Sequence, residues 1–183
     1  MAAGKASFRL PNQTDMSNTN NRQTAVSTII KAGLIAGTLD ILLAFLYSYI
    51  KRGTSPETVL QYISKVAFPA GPGGGKNTFT NPVMSTISGL LVHFAIAMGW
   101  TILFFILYRL LNLVRLNKIV TGIVYGIFVW AMMSMVILPL WNNKPYVFNA
   151  ESASINALIL IVAIGLPLSI IFNNYYTRKY GTS

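Results

Sequence analysis

The sequence predicts an all-α fold: a four-helix transmembrane bundle with a short amphipathic interfacial helix between spans 1 and 2. Three observations predict it. Of 183 residues, 54% are hydrophobic and only 10% charged, against about 25% charged in ordinary soluble domains. Four apolar runs, at 27–50, 83–108, 119–138 and 153–172, can each cross a bilayer core of about 30 Å at about 1.5 Å per residue. Lys and Arg gather at the ends of those runs, as topology and anionic headgroups require. The net charge of +10 therefore does not point to nucleic acid, since no basic stripe interleaved with aromatics accompanies it. With no cysteine, disulfides and thiol chemistry are excluded.

Residues 1–26 are polar and rich in Asn, Thr and Gln. They lack the apolar stretch of a secretory signal and read as a disordered tail. The membrane domain is expected over 27–176, with a C-terminal tail at 177–183.

The first span carries a carboxylate near its middle. At about 100° per residue, Gly33, Gly37, Asp40, Ala44 and Ser48 fall within an arc of roughly 80°. The small residues make a groove for a neighbouring helix, and Asp40 sits in it. An acid at such depth costs about 2.5–3.5 kcal/mol on insertion scales, so it should face a partner or water.

Lys51, Arg52 and Gly53 mark the exit of that span, and Ser55-Pro56-Glu57 supplies a cap, a first-turn proline and an acid. Val59, Leu60, Ile63, Val66 and Ala67 then form the apolar face of a helix over about 56–68. It is too short to span and should lie at the interface or cap the bundle, where simple anchoring is favoured over gating the bundle mouth. Pro69 to Thr78 superficially resembles a phosphate-binding loop. Ala70 and Asn77 stand where that motif needs Gly and Ser/Thr, and no strand precedes it, so it reads as a surface loop.

Asn81-Pro82 opens the second span, where Gly89, His93, Ala97 and Trp100 share one face. Arg109, Arg115 and Lys118 lie in a tight connection to the third span, which holds the close-packing pair Gly122 and Gly126. Met132, Met133 and Met135 have no His or Cys beside them and suit adaptable packing better than a metal. Pro139 and Trp141 close that span, and Asn142-Asn143-Lys144-Pro145 forms a turn. The fourth span offers Ala157, Gly165 and Ser169 as small contact positions, with a kink at Pro167.

Four spans place both termini on one side. That side carries nine of the fourteen Lys and Arg residues, so the positive-inside rule puts both termini in the cytoplasm. Spans 1 and 2 are antiparallel. Asp40 and His93 both lie about 14–15 Å from the membrane face that joins them. The two side chains are therefore expected to meet as a hydrogen bond or ion pair that offsets the cost of burial.

Such a pair has a bland use, fixing helix register, and an active one, exchanging protons. In the active use Asp40 takes the proton, His93 tunes or relays it, and Asn156 lines the outer mouth. One His and no Cys leave too few groups at membrane depth for an acid/base pair or a metal cluster, so neither an enzyme nor a metal or organic cofactor is expected. Partners are the lipid bilayer and, through an exposed glycine face, a second copy or a larger membrane complex.

At Gly33–Asp40, Val59–Ile63, Gly89–Phe94 and Gly122–Gly126 the chain resembles uncharacterised bacterial four-span inner-membrane proteins of the YagU-like kind. The resemblance implies a bacterial inner membrane and a link to acid or envelope stress, and brings no catalytic residues with it. Three readings follow: a stress-related inner-membrane protein of undefined activity, a small proton- or cation-coupled transporter or channel, and a structural subunit of a membrane complex.

Overall fold

Helix boundaries follow from local side-chain chemistry in the computed structural model, which describes residues 13–68, 81–142 and 149–180, with side chains at 24–68, 81–140 and 149–179. Helix α1, Gln13–Arg52, has 40 residues and so extends for about 60 Å, well beyond a bilayer core. Helix α2, Pro56–Ala67, starts where Ser55 Oγ accepts the Thr58 N–H and proline fills the first turn. Helix α3, Pro82–Leu110, repeats the device: Asn81 Oδ1 accepts the Val83 N–H at 2.9 Å. A left-handed Asn112 turns the chain into α4, Lys118–Ala131, capped by Asn117.

The third and fourth spans are each interrupted by a wider π turn, Met132–Ile137 before α5 (Leu138–Asn142), and Ile161–Gly165 between α6 (Ala150–Leu160) and α7 (Leu166–Tyr180). Both turns precede a proline. Pro139 and Pro167 have no N–H to offer the carbonyls four residues back, and a π turn widens the helix just ahead of each. The Leu138 N–H accordingly reaches Met133 O, and the Leu166 N–H reaches Ile161 O. What the sequence predicts as a kink at Pro167 is thus a π turn just before it.

Four stretches, Thr24–Arg52, Pro82–Leu110, Lys118–Leu140 and Ala150–Lys179, are long and apolar enough to cross a membrane, and no strand occurs among the described residues. The chain is an all-α, multi-pass membrane protein in design. Its large outward side chains, such as Leu42, Leu91, Ile106 and Val124, are apolar, as lipid requires.

Two expectations change. Residues 13–26, expected in a disordered tail, continue α1: no Gly or Pro lies between Gln13 and Arg52 before Gly33, so nothing stops the helix growing outward from its span. Likewise α7 runs to Tyr180 instead of ending near 172. Residues 1–12, the Gly-rich loop at 69–78 and the turn at 143–145 lie outside the described residues.

Glycines bind the spans into two tight pairs. In the first, Gly33 and Gly37 on α1 lie against Met98, Phe94 and Ala97 on α3; a Cβ at Gly37 would meet Phe94 at 3.0 Å. In the second, Gly122 and Gly126 on α4 lie against Gly165 and Ile161; a Cβ at Gly126 would come within 2.5 Å of the Ile161 backbone. All five glycines are buried inside the chain. The exposed glycine face expected to serve a second copy is therefore occupied by the chain's own neighbouring helices. Between the pairs, α3 and α4 meet through bulk instead: Phe104 and Tyr125 centroids are 4.2 Å apart, and Tyr125 Oη donates to Trp100 O at 2.6 Å. Tyr108 stacks on Tyr176 at 5.3 Å and donates to Asn173 Oδ1. This aromatic cluster fills the end of the bundle nearest the 109–118 turn. The other end stays partly open.

Candidate functional site: an intramembrane cavity shared by Asp40 and His93

The opening is a cavity of about 170 Å³, large enough for several waters or a benzene-sized group. Asp40 comes from α1, and Val92, His93, Ile96, Ala97 and Trp100 come from α3. Across from them stand Val129 on α4, Met133 and Ile137 in the first π turn, and Leu160 and Ile164 at the second. Helix α2 closes one side with Tyr62, Ile63, Val66 and Ala67. The cavity exists because aromatic side chains hold α3 away from α4, while both π turns bulge at that level.

His93 is buried, and its Nε2 lies 2.9 Å from Gly37 O. A carbonyl oxygen can only accept, so Nε2 carries the proton and donates. In the neutral ring Nδ1 is then the free acceptor. Gly37 makes this possible. With no Cβ at that position Phe94 and Ala97 close α3 onto α1, and the His93 ring beside them uses the second lone pair of a carbonyl already engaged in the helix.

The expected Asp40–His93 hydrogen bond or ion pair is not formed. Asp40 follows Gly37 by three residues, which turns it about 60° around the axis and raises it about 4.5 Å. The imidazole reaches the groove but finds backbone first. Asp40 is half-buried, and among the described residues its carboxylate makes no hydrogen bond or ion pair. The two groups nonetheless line one cavity.

Asn156 is not brought to them. It is exposed on α6, one turn before Leu160, and does not line the cavity. Gly89 is buried and belongs to a different contact: α2 crosses α3 at this glycine, where any Cβ would run into the Leu60 carbonyl. Ser64 and Ser88 hydroxyls hydrogen-bond at 2.7 Å beside that crossing, and Gln61 Nε2 donates to Thr86 Oγ1 at 3.4 Å. Helix α2 is thus docked on α3 and covers the cavity. The sequence alone favours interfacial anchoring over gating for α2, and marks Trp100 only as sharing a face with His93. Gly89 was the available signal, as a small residue on the face that also carries His93.

Among the described residues no group of three His, Cys, Asp or Glu side chains gathers at one place. Lys51 Nζ pairs with Glu151 Oε1, tying the end of α1 to the start of α6 on the face that α2 occupies. Comparison with protein-family models, curated proteins and solved structures finds no match for the chain.

Proposed function

We propose that the chain is a small proton-linked permease of a bacterial inner membrane, with Asp40 as the group that exchanges the proton. One observation carries the reading: Asp40 and His93, an acid and the chain's single imidazole, line the same otherwise apolar cavity at membrane depth. Ionisable groups held at that depth mark proton and ion pathways. A carboxylate without a bonding partner among the described residues is suited to take up and release a proton. His93, fixed by its bond to Gly37, presents Nδ1 as a second acceptor. A register-fixing role would favour a direct bond between the two side chains, and that bond is missing. Helix α2, docked over the cavity, is the element that would admit or exclude water and substrate.

Both termini lie in the cytoplasm on this reading, and the acid-stress setting of the YagU-like resemblance suits a protein that handles protons. The test is proton flux into proteoliposomes under an imposed pH gradient. Asp40→Asn keeps shape and removes the titration. It should lower flux at least tenfold, while His93→Gln should leave part of it. Equal flux from wild type and Asp40→Asn, or wild-type flux no greater than that of protein-free vesicles, would overturn the proposal.

A further inference from the structure

A second concavity lies at the other end of the bundle, between α1 and α7, with a volume of about 570 Å³. Lys31, Asn174, Arg178 and Lys179 line it, together with Ile35 and Ile171, and among the described residues no acidic side chain does so. We infer that this cleft is a binding site for an anionic phospholipid of the surrounding leaflet. The reading does not depend on what the Asp40 cavity does.

The order of polarity along both helices carries the inference. On α1, Ile35 follows Lys31 by four residues, one turn deeper on the same face. On α7, Ile171 precedes Arg178 by seven residues, two turns deeper on the same face, with Asn174 between them. Cations therefore stand at the mouth and exposed isoleucine lies below, which is the sequence headgroup then acyl chain. Lys31 is nine residues from Asp40, about 13–14 Å along α1, and so sits at the edge of the hydrocarbon. The Thr28 hydroxyl on this wall already donates to Thr24 O at 2.8 Å, leaving its oxygen only as an acceptor. Donors for a phosphate thus come from Lys31, Arg178 and the Asn174 amide, and the Lys179 ammonium over the Tyr175 ring adds positive charge beside them. Arg presents the planar fork that suits phosphate oxygens, and basic pockets between membrane helices are where anionic headgroups settle. A free phosphate would satisfy the cations but leave the exposed Ile35 uncovered.

The test is native mass spectrometry of the full chain in detergent, with phosphatidylglycerol, phosphatidylcholine of matched chains, or inorganic phosphate added. Wild type should retain phosphatidylglycerol at least tenfold better than phosphatidylcholine, and millimolar phosphate should not displace it. Each cation removed near a charged surface weakens binding about fivefold, so Lys31→Gln with Arg178→Gln should lower retention about 25-fold. Arg178→Lys should restore most of it. Arg52→Gln, an equal charge loss on the opposite face, should change nothing. If the double variant loses helicity or aggregates, Lys31→Gln alone carries the comparison at about fivefold. Equal retention of the two lipids, undiminished retention by the Lys31 variants, or displacement by phosphate would each overturn the assignment.

Discussion

Two glycines on α3 sit ten residues apart and should respond oppositely to the same methyl group. At Gly89 the added carbon would collide with the Leu60 backbone carbonyl, which cannot swing aside as a side-chain tip can. At Gly99 nothing lies within 4 Å, and the position faces outward. Gly89→Ala should therefore lose about 1–3 kcal/mol through overpacking and pry α2 from α3. Gly99→Ala should gain about 0.5–1 kcal/mol, the ordinary return of alanine in a helix. Thermal unfolding in detergent reads both, and protease sensitivity of the 53–68 segment reads the loss of docking. Shifts of the same sign would show that the α2–α3 crossing is not held at Gly89. The same steric logic explains His93. Its ring reaches Gly37 because the missing side chain lets Phe94 and Ala97 bring α3 close to α1, and a depth estimate from rise per residue says nothing about that. Depth placed Asp40 and His93 at one level; the extra 60° of rotation, which separates a shared cavity from a direct bond, depends on how two helices settle against each other.

At the scale of elements, the local signals were read well and the non-local ones were not. Ser55-Pro56 and Asn81-Pro82 start α2 and α3 where they stand, because capping involves groups only two or three residues apart. The extent of α1 was misjudged for the converse reason: polar composition suggested disorder, but no residue within 13–26 terminates a helix already nucleated by its span. The π turns were visible only as prolines. Pro167 supplies an element-level test, because proline in a helix interior ordinarily costs about 3 kcal/mol relative to alanine. Here the helix has already left α geometry in the π turn at Ile161–Gly165, where the Leu166 N–H reaches Ile161 O. The turn's two ends are pinned by Ile161 against Gly126 and by Gly165 against Gly122, and one turn further on Ser169 Oγ donates to Lys118 O at 2.6 Å. Pro167→Ala should thus gain less than about 1 kcal/mol in thermal unfolding. A gain near the full proline penalty would mean that the proline alone imposes the turn.

For the molecule as a whole, two glycine-bonded helix pairs joined through aromatic bulk explain why one end is filled and the other holds a cavity. Tyr108, Phe104, Tyr125, Phe172 and Tyr176 occupy the end near the 109–118 turn. Asp40 and His93 look into the half nearer α2, where Lys51 and Glu151 close the same face. This polarity requires that the chain cross the membrane four times, with Thr54 and Asn149 on one side and Asn112 on the other. The absence of native cysteine makes that easy to check. Single cysteines placed at Thr54, Asn112 and Asn149 should divide into two groups when intact spheroplasts meet a membrane-impermeant maleimide. Thr54→Cys and Asn149→Cys should label from outside, and Asn112→Cys only after lysis, because nine of the fourteen cations fall on the Asn112 side. The reverse pattern would invert the protein and move the cavity mouth to the cytoplasm without altering the bundle. Labelling of all three from one side would break the four-span arrangement itself, and with it the depth at which Asp40 is held.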